Sequence, residues 1–128
     1  MLKGYDSATM IPVKDLEKTR RFYEDVLGFS VDMENPGGVR YQSGATSFFL
    51  YPTQFAGTAQ HTLIGWNVDD IESVVDDLAA KGVTFEKYDM GELKTDAKGI
   101  ATMGMGPEKG AWFKDPEGNI LSLMQTET

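Results

Sequence analysis

A chain of 128 residues with 12 Lys plus Arg against 20 Asp plus Glu, a net charge of −8, has the length of one domain and the wrong sign for a nucleic-acid partner. With no cysteine and one histidine it has no disulfide, no thiolate metal site, no cysteine nucleophile and no pair of imidazoles from one chain. No run of about 18 apolar residues offers a membrane span, and Met1 to Asp6 lacks the apolar stretch of a secretory signal, so the expectation is a cytoplasmic protein with no membrane partner.

Residues 8–13 (ATMIPV) read as a strand that enters a helix. Asp15 is a good N-cap, because its carboxylate accepts from orphan N–H groups of the next turn. Leu16, Thr19, Phe22, Tyr23, Val26 and Leu27 fall at helical spacing, and Gly28 closes the helix. Residues 29–33 predict a strand, Asn35-Pro36-Gly37-Gly38 a turn, and residues 39–43 and 47–51 two more strands around Gly44.

Residues 53–60 read as a linker, after which the order repeats. Residues 62–68 (TLIGWNV) predict a strand. Asp69 with Glu72 has the spacing of a capping box, and Ile71, Val74, Val75, Leu78 and Ala79 form an apolar stripe that Gly82 stops. Residues 83–88, 111–114 and 120–125 predict strands, the last two joined by the tight turn Asp115-Pro116-Glu117-Gly118. Residues 89–110 form a long irregular connection, the kind that is functional or mobile in a compact domain. Gly104-Met105-Gly106 within it reads as a flexible turn, since Pro107 follows and no helix opens to hold a phosphate.

The repeat is visible in letters too. Val13-Lys14-Asp15-Leu16-Glu17 lies 55 residues before Val68-Asp69-Asp70-Ile71-Glu72, and Gly28 lies 54 before Gly82. The expectation is one α+β domain of two tandem βαβββ modules, module one over about 5–52 and module two over about 61–126.

Residues 11–29 (IPVKDLEKTRRFYEDVLGF) and 111–125 (AWFKDPEGNILSLMQ) resemble the two signature stretches of the vicinal oxygen chelate superfamily, which includes glyoxalase I, extradiol dioxygenases and bleomycin-resistance proteins. The resemblance implies two modules whose half-open sheets curl around a cleft, helices outside. It also implies a homodimer, in keeping with sheet edges that need cover.

Metal-dependent members of that superfamily hold one divalent ion with His and Glu side chains in the cleft. Such an ion needs three or four N or O donors converging within about 2.0–2.2 Å. By that resemblance, counted back from Asp15 and from Val68 and forward from Asp115, the donor positions fall on Ala8, Leu63 and Ser122; the remaining one belongs on strand 47–51, and residues 35–60 hold no Asp, Glu, His or Cys. The expectation is therefore no metal and no other cofactor.

Strand alternation then assigns Met10, His61, Gly65, Ile120 and Met124 to the cleft with Leu63 and Ser122. Thr9, Ile11, Val13, Ile64, Trp66, Val68, Leu121 and Leu123 go to the helix side as core. Phe49 and Tyr51, or alternatively Phe48, supply an aromatic wall, and Trp112 and Met103 border the cleft by the same resemblance. His61 is as readily a rim residue, Trp112 packing, and Met10 and Met124 a plug of the cleft.

The function expected is a metal-independent protein of the bleomycin-resistance type that holds a small organic molecule in an apolar cleft, a cationic or aromatic one given the acidic chain. The alternative is a glyoxalase-like lyase or dioxygenase, either metal-dependent through unusual ligands or metal-free with His61, Tyr51 or Ser122 as acid–base groups.

Overall fold

A computed structural model describes residues 1–91, 93–102 and 108–126. Apolar residues at alternate positions sort each strand's side chains between two faces. In β1 (Thr9–Val13), Ile11 and Val13 are fully buried, whereas Met10 between them is 51% exposed. Three further strands, β2 (Val31–Asn35), β3 (Gly38–Ser43) and β4 (Thr46–Pro52), complete a sheet in the order β1-β4-β3-β2, with β1 parallel to β4.

The second half of the chain repeats this order. Strands β5 (Thr62–Asn67), β8 (Ile100–Thr102), β9 (Lys109–Lys114) and β10 (Ile120–Gln125) form a sheet in the order β5-β10-β9-β8, with β5 parallel to β10. Strands β6 (Asp89–Met90) and β7 (Leu93–Lys94) make a small hairpin between them. Two mixed four-stranded sheets with few helices make an α+β fold of two modules. No helix among the described residues is long and apolar enough to cross a membrane.

The helices cover one face of each sheet. Helix α1 (Leu16–Arg21) is capped by Asp15, whose Oδ1 accepts from the Lys18 N–H at 3.1 Å. It continues as a π-helical stretch, Phe22–Val26, rather than as the single α-helix the spacing predicts. The wider turn ends with Leu27 N–H donating to the Phe22 carbonyl, and Gly28 takes φ +84°. Helix α2 (Ile71–Ala80) is capped by Asp70, not by Asp69 as the capping-box spacing suggests. The Asp70 carboxylate accepts from Ser73 N–H, and Ile71 N–H is taken by Gln125 Oε1 at 2.7 Å, so the helix starts one residue later.

Residues 83–88 do not form the strand predicted there. Only Phe85 makes an isolated bridge, to Phe113, because it is drawn into the core beneath the sheet. The edge position next to β9 is taken by β8, whose Ile100 and Ala101 are buried.

One core runs through both modules. Ile11, Tyr23, Tyr41, Phe48 and Leu50 from the first pack with Ile71, Val75, Phe113, Leu121 and Leu123 from the second. Aromatic pairs cross the junction: Phe22–Phe113 at 6.4 Å, Phe29–Trp66 at 5.6 Å and Phe48–Trp66 at 5.9 Å between ring centroids. A polar staple crosses it too. Asp115 is buried and accepts from the Tyr23 hydroxyl at 2.7 Å. Asn119 donates from Nδ2 to the Pro12 carbonyl at 2.8 Å and accepts the Gly57 N–H at 3.2 Å. The Asp115–Gly118 turn thus anchors the second module on β1 of the first.

Candidate functional site

The same alternation that buries Leu121 and Leu123 turns Ser122 and Met124 of β10 away from the helices. In β9, Ala111 and Phe113 are core, so Gly110 and Trp112 share that open face. A hollow of about 400 Å³ lies there, walled by Leu63, Gly65, Gly110, Trp112, Ser122 and Met124. Lys109 and Glu108 also line it and bring one charge of each sign.

Two wall positions lack side chains, and neighbouring side chains lean into the space they leave. Gly65 pairs with Ser122, and Ser122 with Trp112, so the three form one row across the sheet. A Cβ at Gly65 would lie 2.5 Å from Ser122 Oγ and 3.3 Å from Met124 Cε. A Cβ at Gly110 would lie 3.1 Å from Trp112 Cη2, so the indole is folded back along its own strand. The Tyr88 ring meets Trp112 edge-on, centroids 5.7 Å apart and planes at 74°. Burial, with the negative Glu86 nearby, raises the Tyr88 phenol above its ordinary value, so the ring is neutral at physiological pH. Leu63 is the extra residue of a β-bulge: Ile120 pairs with Thr62 and Leu121 with Ile64. Such bulges re-aim side chains.

Of the residues the sequence singles out, the structure brings Leu63, Trp112, Ser122 and Met124 together in this hollow. Met10, Phe49 and Tyr51 lie on the open face of the other sheet, where Met10 pairs with Phe49. No residue of that sheet lines the hollow. His61 is exposed, its Nδ1 3.0 Å from the Thr62 carbonyl oxygen, and is not a wall residue. Met103 and the Gly104-Met105-Gly106 turn lie outside the described residues. Gly110 and Tyr88 were not singled out. Alternation along β9 from Trp112 points to Gly110, but Tyr88 packs on Trp112 from residues 83–88, which read as a strand in the sequence and do not form one.

The donor set does not fit a divalent ion. Ala8 and Leu63 offer hydrocarbon, and Ser122 offers one neutral hydroxyl. Among the described residues no three His, Cys, Asp or Glu side chains come together.

The sequence model of the Glyoxalase/Bleomycin resistance protein/Dioxygenase superfamily matches residues 7–123. A probable lactoylglutathione lyase of Vibrio cholerae is 30% identical, the match covering 93% of this chain and 88% of that protein. A superfamily member from Sphaerobacter thermophilus superposes with TM-score 0.70 at 24% identity, covering 98% of this chain and 100% of that one. TnmS3, an antibiotic binding protein from Streptomyces sp. CB03234, superposes with TM-score 0.67 at 21% identity, covering 96% and 98%. Sequence and fold together place the chain in the glyoxalase/bleomycin resistance protein/dioxygenase superfamily.

Proposed function

We propose that this protein binds a small organic molecule in the hollow on the open face of β5, β10 and β9, without a resident metal, and works as a homodimer. The observation that carries the reading is the hollow itself. Where this superfamily's metal-dependent members need donors, the chain has Ala8, Leu63 and Ser122. Two of these wall an apolar depression of about 400 Å³, the size of a small-molecule site. A structural neighbour that is an antibiotic binding protein supports binding as a use of this fold. The homodimer is supported by apolar side chains on both open faces: Met10 is 51% exposed, Met33 37% and Met124 42%.

Elemental analysis of untagged protein, together with thermal shifts against planar aromatic compounds, tests the reading. The expected result is no stoichiometric metal and stabilisation by a subset of compounds that Trp112→Ala abolishes. Stoichiometric Ni, Zn, Fe or Mn overturns it.

The resemblance to a probable lactoylglutathione lyase favours a second reading, a lyase acting on a glutathione adduct of a carbonyl compound. Turnover of such an adduct, assayed with and without added Ni²⁺ or Zn²⁺, would establish it.

A further inference from the structure

The strands that wall the hollow have a second side. Trp66 follows Gly65, Phe113 follows Trp112, and Leu123 lies between Ser122 and Met124, so alternation sends these three toward the helices. There they meet Leu27 and Phe29 of the first module and Val74 of α2 around a second recess, of about 250 Å³. Its floor, Phe113 and Leu123, is buried; Leu27, Phe29, Trp66 and Val74 are half-buried. The recess therefore sits at the seam of the two modules, on the opposite face of the sheet from the hollow.

No charged residue lines this recess, and the polar residue that does, Asn67, is exposed to solvent. The Trp66 N–H is already taken by Ser43 Oγ at 3.1 Å. Water held there finds few partners. An apolar guest gains up to about fourfold in affinity for each carbon it buries. The apolar surface also lies within the recess and not around it. Met10 and Phe55 stand out elsewhere at 51% and 66% exposure, but no apolar side chain of the seam protrudes in that way. A broad protein partner has little to grip here, whereas a small molecule that enters is surrounded. A dry apolar cavity of about 150 Å³ is enough to hold benzene, so about 250 Å³ accommodates one substituted ring.

We propose that the seam between α2 and the end of the first helix is a second ligand site, separate from the hollow, which takes an uncharged aromatic hydrocarbon group of one substituted ring.

The two tryptophans report the two sites independently, Trp66 the seam and Trp112 the hollow. Benzene, toluene and ethylbenzene are titrated while the indole signals are followed by NMR, with Trp112→Phe to assign them. The Trp66 signals should shift and saturate, with affinity rising by up to about fourfold for each added carbon. Benzoate, charged and close to ethylbenzene in size, should bind the seam about tenfold more weakly or worse. Val74→Phe, which fills the recess from α2, should abolish the Trp66 response and leave any Trp112 response in place. Should Val74→Phe fail to fold, nuclear Overhauser contacts between ethylbenzene and the Val74 methyls in the unaltered protein carry the same decision.

A Trp66 signal that none of the probes shifts, that still responds in Val74→Phe, or that responds equally to benzoate overturns the proposal. A Trp66 signal that moves on dilution with no probe present shows that a second copy of the chain covers the seam, and overturns the small-molecule occupant. A response at Trp112 alone overturns the seam site and leaves the binding reading of the hollow standing.

Discussion

Asp115 concentrates the chain's polar interior into one side chain. Its carboxylate accepts four hydrogen bonds: the Tyr23 hydroxyl at 2.7 Å, Asn119 Nδ2 at 3.0 Å, and the N–H groups of Glu117 and Asn119 at 2.9 and 3.0 Å. Burial still outweighs them and raises the carboxyl above its ordinary value of 3.8. A carboxyl whose folded value is raised favours the folded state fully below 3.8, and that contribution is lost as pH rises through the folded value. Removing the Tyr23 donor should therefore cost more when Asp115 is charged. Tyr23→Phe is expected to lose about 1–3 kcal/mol at pH 7 and clearly less near pH 4, measured by urea unfolding at both. An equal loss at the two pH values would show that Asp115 is not the coupled group. Asn119→Ala, which frees the Pro12 carbonyl and the Gly57 N–H, is expected to lose about 2–3 kcal/mol in the same measurement. The Asp-Pro-Glu-Gly letters make the turn legible in the sequence. They are silent about the staple, because its partners lie 92, 107 and 62 residues away.

Elements were legible where local chemistry decides and illegible where tertiary packing does. The Asp15 cap and the stop at Gly28 follow from letters alone. The start of α2 does not. Asp69 and Asp70 are equally good caps by residue type, and Gln125 of β10 decides between them by taking the Ile71 N–H. Asp70→Ala is accordingly expected to destabilise by about 1 kcal/mol, whereas Asp69→Ala should change stability little, both read from thermal unfolding. The reverse order would restore the capping box. Residues 83–88 mislead for a related reason. Val83 and Phe85 look like strand residues because Phe85 is a core residue and Val83 packs against the core, and Phe85 is 5% exposed without a strand around it. The π-helical stretch is likewise set from outside its own sequence. It brings Tyr23 to Asp115, and puts Glu24 within reach of both the Tyr41 hydroxyl, at 2.8 Å, and Arg20 Nε, at 2.9 Å.

At the scale of the molecule, the two modules are the same framework finished differently. In the first, one row across the sheet reads Met10, Phe49, Arg40; in the second, the corresponding row reads Gly65, Ser122, Trp112. The first row is filled and the second hollow. Alternation made both faces legible in the sequence, with Gly65 on the second. It did not reveal that the two sets of residues lie on separate faces, since that depends on how the modules pack through Phe29, Phe48 and Trp66. Met10 is the informative position on the filled face. It is half exposed beside the fully buried Ile11, and it faces away from the core that Ile11 and Val13 join. A homodimer that covers this face shelters Met10, and two-fold symmetry shelters it twice. A charge at that point is then buried in the dimer and harmless in the monomer. Met10→Asp is expected to sediment as a monomer at concentrations where the unaltered protein sediments as a dimer, with an unchanged circular dichroism spectrum. If the unaltered protein sediments as a monomer at high micromolar concentration, or if Met10→Asp remains a dimer, the open face of β1 is not the surface that pairs.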